Sequence, residues 1–255
     1  MKAMILAAGL GTRLRPLTDD RPKALVTIAG RTLLEFAINR LSLFGVREIV
    51  INTHHYADTI LEYLIANNNF GMRIEVSSEP ILLDTGGGLK NAAWFFLDSN
   101  PSREEPFILH NVDVISTIDL ERMMQFHTEH AALATLAVQG RETSRYLLFD
   151  EHGQLSGRQA WCDAQAEVDE APAVLSSPKL QPLAFSGIHI ISPQIFAKMH
   201  EEGAFSIIDA YLRLAAQGEK IIAFRADDYY WRDLGRPESV IQAAQDIANG
   251  TYPGN

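Results

Sequence analysis

The chain holds a single cysteine among 255 residues, Cys162, so no internal disulfide and no thiolate metal cluster can form. That scarcity suits a reducing compartment, and a cytoplasmic protein is expected. No stretch approaches the roughly 18 consecutive apolar residues of a membrane span. The apolar segment 3–10 is short and runs into Gly-Thr-Arg with no small-residue cleavage site, so neither a leader nor a membrane partner is expected. A basic surplus is missing too. The 22 Lys and Arg face 32 Asp and Glu, a net charge of −10, which excludes a broad nucleic-acid surface. With 47% hydrophobic and 21% charged residues, the composition is that of an ordinary globule and not of a disordered, collagen-like or coiled-coil chain.

What charge there is lies unevenly. Residues 1–50 carry eight Lys and Arg against four Asp and Glu, which leaves −14 for the remainder. A basic island on an acidic chain suits a small phosphorylated ligand. Short apolar runs alternate with helix-period segments: strands at 2–7, 48–52, 73–77, 107–111 and 132–138, helices at 33–44 (Thr32 as cap), 57–66, 88–96 and 119–130. This alternation predicts an α/β fold, a three-layer α/β/α Rossmann-like arrangement with a mainly parallel, mixed central sheet. Ligands of such sheets bind at the carboxyl ends of the strands. Beyond residue 140 the pattern predicts a hairpin over 146–157 and, with four acids in 163–170 and prolines at 172, 178 and 182, an exposed excursion or lid over 163–182. A strand at 183–191, helices at 193–200 and 206–217, a strand at 220–224 and a helix at 237–249 complete the chain. One domain is expected, with residues 1–140 as one half and 141–255 as an elaborated second half, as a monomer or small homo-oligomer.

The first strand runs into Leu6-Ala-Ala-Gly-Leu-Gly-Thr-Arg-Leu-Arg-Pro-Leu17, followed by Pro22-Lys23. Gly9 and Gly11 let main-chain N–H groups approach a phosphate, and Arg13, Arg15 and Lys23 can neutralise it. A Walker A loop and a dinucleotide fingerprint are excluded, because neither glycine has another five places on and position 14 is Leu. Glycines alone suit any strand-to-helix turn; the three cations beside them point to phosphate.

The stretch over residues 4–35 resembles the signature of the sugar-1-phosphate nucleotidylyltransferases, from Leu-Ala-Ala-Gly-x-Gly-Thr-Arg through Pro-Lys-Ala-Leu to Ile-Ala-Gly-Arg-Thr-Leu-Leu-Glu. The resemblance implies that the loop (Leu6, Ala8, Gly9, Gly11 and Thr12) cradles a nucleoside triphosphate. It also implies that Arg13 contacts the departing pyrophosphate and that Lys23 contacts the reacting phosphates, these two being the candidate catalytic residues. It makes Asp113, in His110-Asn-Val-Asp113, and Asp233, in Trp231-Arg-Asp-Leu-Gly-Arg-Pro-Glu238, the ligands of Mg²⁺, a hard ion that keeps waters and takes substrate phosphates as further ligands. Val112 stands where relatives have glycine and Arg236 where they have threonine. Asn111 is counted with the nucleotide site.

Glu79-Pro-Ile-Leu-Leu-Asp-Thr-Gly-Gly-Gly-Leu89 places three consecutive glycines at a helix start, so something must approach closely. By resemblance Thr85, Gly86 and Gly87 lie against the base and Glu79 accepts a base N–H. A carboxylate suits the N3–H of uracil or thymine and also guanine's N1–H and N2–H, so the base stays open on these grounds. Phe185-Ser-Gly-Ile-His189 resembles the family's sugar-binding segment, which puts Gly187 and Trp231 at the sugar phosphate. The implied reaction is Mg²⁺-dependent transfer of a nucleoside monophosphate from an NTP, UTP favoured, to a sugar 1-phosphate. GTP- or dTTP-using relatives, a cytidylyltransferase for a choline-type phosphate and a silent nucleotide-sugar-binding subunit are the alternatives. The histidines and the run Trp94-Phe95-Phe96 read as structural: His127 and His130 lack a third ligand at zinc spacing.

Overall fold

The computed structural model describes residues 1–97, 105–160 and 180–252. In chain order these form β1 (Lys2–Leu6), the small hairpin β2 (Thr27–Ile28) and β3 (Arg31–Thr32), α1 (Leu33–Leu43), β4 (Glu48–Thr53), α2 (Ala57–Ala66), β5 (Arg73–Ser78), α3 (Asp84–Asn91) and α4 (Ala93–Leu97). After these come β6 (Phe107–Asn111), β7 (Val114–Ser116), α5 (Leu120–Glu129), β8 (Ala134–Gln139), β9 (Arg145–Phe149) and β10 (Leu155–Ala160). The last group is β11 (Gln181–Ile191), α6 (Ile195–Lys198), α7 (Ile207–Ala216), β12 (Ile221–Arg225), β13 (Trp231–Asp233) and α8 (Pro237–Ala248). The helix expected at 88–96 is broken at Ala92 into α3 and α4, and the one expected at 193–200 is a single turn. Of the lid expected at 163–182, residues 163–179 lie outside the described residues and 181–182 begin β11.

Among the described residues nine strands form one sheet, ordered β10-β9-β11-β6-β1-β4-β5, with β8 pairing the other edge of β11 and β12 pairing β8. β10 and β11 run against the other seven, so the sheet is mixed but mostly of one direction. Side chains of a strand alternate between faces, and both faces of this sheet are apolar. From β1, Ala3 and Ile5 enter a core built with Leu34 and Ile38 of α1, Ile60 of α2, Met123 of α5 and Ala243 of α8. Met4 enters the opposite core, with Leu89 of α3, Phe95 of α4 and Tyr211 of α7. Two cores on one sheet make three layers. Local signals agree with the elements: Thr32 Oγ1 accepts from Glu35 N at 3.0 Å to cap α1, and Asp119 accepts from Arg122 N at 2.9 Å to cap α5. Among the described residues no helix is long and apolar enough to cross a membrane.

Three histidines are sealed into this fold. His127 bonds Thr135 and Ser192 through its two ring nitrogens, and His189 bonds the Tyr211 hydroxyl. Burial pushes His127 and His110 down to about 4 and His189 to about 3. Because these folded values lie below the ordinary 6.5, the unfolded chain binds more protons between them, and stability is lost as pH falls from 6.5 toward 4. The expected result is a melting temperature that drops through that window, with a shallower slope in His127→Gln. A melting temperature that is flat or rises on acidification over that range would contradict it.

Candidate active site

The carboxyl ends of three parallel strands meet at one edge of the sheet. Leu6, the last residue of β1, lies in register with Asn52 of β4 on one side and Asn111 of β6 on the other. The chain leaving β1 is tied there: Ala7 N donates to Asn52 Oδ1 at 2.8 Å, and Val112 N donates to the Leu6 carbonyl at 3.1 Å. Ala8 is buried, while Gly9, Leu10, Thr12 and Arg13 are exposed; fully buried Leu14 then anchors the far end of the loop. Gly11 has φ +65°, and a Cβ there would stand 3.0 Å from Thr18 Cγ2 and 3.1 Å from Lys23 Cβ. Its carbonyl accepts from Thr18 Oγ1 at 2.9 Å. The loop thus folds down on residues 18–23, which brings Lys23 beneath it.

The two candidate metal ligands come together through a two-stranded ribbon. Asp113 sits between β6 and β7, and β7 pairs antiparallel with β13 so that Asp233 opposes Val114. Leu234 N donates to the Asp113 carbonyl at 2.7 Å. The convergence is measured at Gly235, where an added Cβ would lie 2.8 Å from Asp233 Oδ1, 3.2 Å from Arg13 Nη2 and 3.5 Å from Asp113 Oδ2. Only glycine fits at that point. The Lys23 ammonium is ion-paired with Asp113, both side chains being largely buried. Burial, and then the charge of Asp113, raises the carboxyl of Asp233 above the usual range. Two carboxylates held together at such a cost accommodate a small hard cation. Among the described residues no three His, Cys, Asp or Glu converge, so this pair would leave most of an ion's coordination to water and substrate oxygens, as Mg²⁺ prefers.

A cleft of about 1040 Å³ opens beside the pair. Of the candidate residues it is lined by Arg13, Asn111, Gly187, Trp231 and Asp233. Gly187, at φ +73°, bends β11 over Asn111: a Cβ there would stand 2.8 Å from Asn111 Nδ2. Trp231 donates its indole N–H to the Ser186 carbonyl at 2.7 Å. Four more arginines, 141, 145, 158 and 236, line the same cleft and make it cationic in an acidic chain.

The segment expected to read the base makes its close contacts within the chain. Glu79 is 2% exposed. Its oxygens accept from Asn52 Nδ2 at 2.7 Å and Leu83 N at 3.0 Å. The close neighbours of the glycines are likewise internal. A Cβ on Gly86 would meet the Phe205 ring at 2.4 Å, one on Gly87 the Gly203 carbonyl oxygen at 2.4 Å, and one on Gly88 the Asn52 and Glu79 side chains at 2.7 Å. Thr85 Oγ1 accepts from Ile207 N at 3.0 Å, and Gly86 N donates to the Phe205 carbonyl at 2.9 Å. The glycines pack α3 against the start of α7. Gly87→Ala, which pushes a methyl into backbone, is expected to destabilise the fold by about 1–3 kcal/mol in urea unfolding. An unchanged midpoint would refute that packing role.

His54 and Phe96 hold structural places, whereas Trp94 is exposed. His54 Nδ1 bonds the Glu79 carbonyl at 2.8 Å, and Phe96 stacks on Phe107 with centroids 3.9 Å apart. Val112 is 2% exposed and faces the core, so replacing the family's glycine there adds nothing to the cleft.

Residues 2–250 match the family described as Nucleotidyl transferase. The chain belongs to that family. This transferase is 33% identical, over 96% of both chains, to N-acetylmuramate alpha-1-phosphate uridylyltransferase of Caulobacter vibrioides. It is 29% identical to the UTP–glucose-1-phosphate uridylyltransferase of a Synechocystis strain, all of this chain matching 66% of that longer one. Among solved structures, HddC from Yersinia pseudotuberculosis complexed with GMP-PN superposes over 96% of this chain and 99% of its own with a TM-score of 0.71 at 23% identity, a likeness of fold. The family signature did not reach Arg141, Arg145 and Arg158. Arg141 follows β8, Arg145 opens β9 and Arg158 lies within β10, outside the quoted motifs.

Proposed function

We propose that this nucleotidyltransferase moves UMP from UTP onto the phosphate of a sugar 1-phosphate, releasing pyrophosphate and leaving a UDP-sugar. The observation that carries the reading is the meeting of Arg13, Asp113 and Asp233 around Gly235, with Lys23 on Asp113, beneath an exposed glycine loop. A sugar 1-phosphate with second pKa near 6 is mostly dianionic at pH 7, so its oxygen needs no general base. The site agrees with that economy. His110, the histidine nearest in sequence to Asp113, donates its Nδ1–H to the Asn111 carbonyl and is held neutral by burial. What remains for the protein is to align two polyanions and to stabilise the transition state by charge. Arg13, exposed on the loop, faces the departing pyrophosphate, and Lys23 faces the phosphate under attack. Asp113 and Asp233 would hold Mg²⁺, which would supply further positive charge at the substrate phosphates. Residues 1–140 then serve the nucleotide, and 141–255 serve the sugar phosphate.

Uridine is favoured because two curated relatives are uridylyltransferases, one of them matching this chain end to end. A relative at 27% identity is a mannose-1-phosphate guanylyltransferase of Mycobacterium tuberculosis, so GTP is the competitor to test. Pyrophosphate release from five NTPs against N-acetylmuramate, glucose, N-acetylglucosamine and mannose 1-phosphates, with Mg²⁺, decides the matter. Preference for UTP supports the reading; preference for GTP replaces the base; no release with any pair overturns it.

A further inference from the structure

The five arginines of the cleft are not alike. Arg13, Arg145, Arg158 and Arg236 are exposed, and Arg158 is paired with Asp209; Arg141 is half-buried. Its guanidinium carbon sits over the Trp231 indole, 3.6 Å from the ring centroid. One edge is pinned, since Nη2 donates to the Phe185 carbonyl at 2.8 Å, while the buried Nε has no acceptor among the described residues. A stacked, half-fixed guanidinium with a donor left over is preorganised for a bidentate anion. Burial lowers its affinity for its own proton, which the nearby Asp233 carboxylate partly restores.

The topology says which anion. Across the sheet the order of strand ends is β1, β6, β11, β8. The phosphate loop follows β1, Asp113 follows β6, Gly187 bends β11, and Arg141 follows β8 by two residues. Arg13 and Lys23 therefore stand on one flank of the aspartate pair and Arg141 on the other. In-line phosphoryl-type transfer brings the nucleophile in from the side opposite the leaving group. From this placement we infer that Arg141, seated on Trp231, binds the phosphate of the acceptor sugar 1-phosphate and holds its attacking oxygen on the face away from pyrophosphate. The inference rests on the transferase reading of the preceding subsection and adds to it a residue that no family motif singles out.

The test measures KM for the sugar 1-phosphate at saturating UTP, and KM for UTP at saturating acceptor, in Arg141→Ala, Arg141→Lys and Trp231→Ala, with the acceptor chosen from the wild-type matrix. Arg141→Ala is expected to raise the acceptor KM about 10- to 100-fold and to leave the UTP KM within about twofold. Arg141→Lys keeps the charge but loses the fork and the stack, so it should recover only part of the loss. Trp231→Ala should reproduce the acceptor defect with Arg141 intact. Thermal melts identify a variant that fails to fold, and the Lys variant then carries the test. An unchanged acceptor KM in Arg141→Lys together with Trp231→Ala, or an equal rise in both KM values, overturns the inference while wild-type turnover leaves the transferase reading standing. Absence of wild-type turnover with every acceptor overturns both.

Discussion

Asp113→Asn is expected to abolish pyrophosphate release, a loss of at least about a thousandfold, corresponding to about 4 kcal/mol of transition-state stabilisation. The amide keeps the size of the side chain and removes its charge. Three consequences converge on the same site. One of the two carboxylates that face Gly235 no longer attracts a cation. Lys23 loses its ion-pair partner and is no longer aimed by it. Asp233 loses the neighbouring charge that raises its carboxyl, so its proton affinity falls toward the ordinary range. The fold should survive, because Asp113 is tied to β13 through its main chain, by the Leu234 N–H, rather than through its carboxylate. Circular dichroism near wild type at the assay temperature, with turnover gone, is the expected pair of observations, and the melting temperature falls because Lys23 loses its buried partner. Turnover within tenfold of wild type would show that the reaction does not depend on this carboxylate.

Lys23→Ala should be nearly as severe in turnover and different in character. In the structure Lys23 occupies the position on Asp113 that a divalent cation would share, so the two compete for one carboxylate. Removing the ammonium leaves two largely buried carboxylates facing each other, and breaking a buried pair in this way costs about 3–5 kcal/mol. Mg²⁺ should return part of that stability. The expected result is a lowered melting temperature that rises with Mg²⁺ more steeply than in wild type, alongside turnover reduced about a hundredfold or more. Both readouts are needed. A variant that binds Mg²⁺ well and still fails to turn over assigns Lys23 to the reacting phosphates, whereas full activity at high Mg²⁺ would reduce it to a counterion.

Much of this was legible in the chain because the signals were local. The apolar runs of β1, β4 and β6 announced buried parallel strands, and Thr32 announced a helix start; all stand where expected. Gly9, Gly11, Arg13 and Lys23 lie within 15 residues of one another, so one motif could hold them. The pairing of Asp113 with Asp233 spans 120 positions and depends on a three-residue ribbon that periodicity cannot reveal. The glycines 86–88 show the converse. Their sequence demanded a close approach, but whether by ligand or by chain is a tertiary matter, and Phe205 and Gly203 make that approach themselves. Arg141 was illegible for a similar reason, since a guanidinium becomes notable only when Trp231, 90 residues on, lies beneath it.

Phosphorus-31 NMR of wild type and Asp113→Asn, incubated with UTP, Mg²⁺ and a pool of sugar 1-phosphates, tests the central claim most directly. The account predicts that in wild type the UTP and sugar-phosphate resonances decline in equal amounts while a diphosphate diester and free pyrophosphate grow in equal amounts, and that Asp113→Asn shows none of this. Wild type that releases pyrophosphate without forming the diester, or Asp113→Asn that forms the diester at a comparable rate, would contradict it.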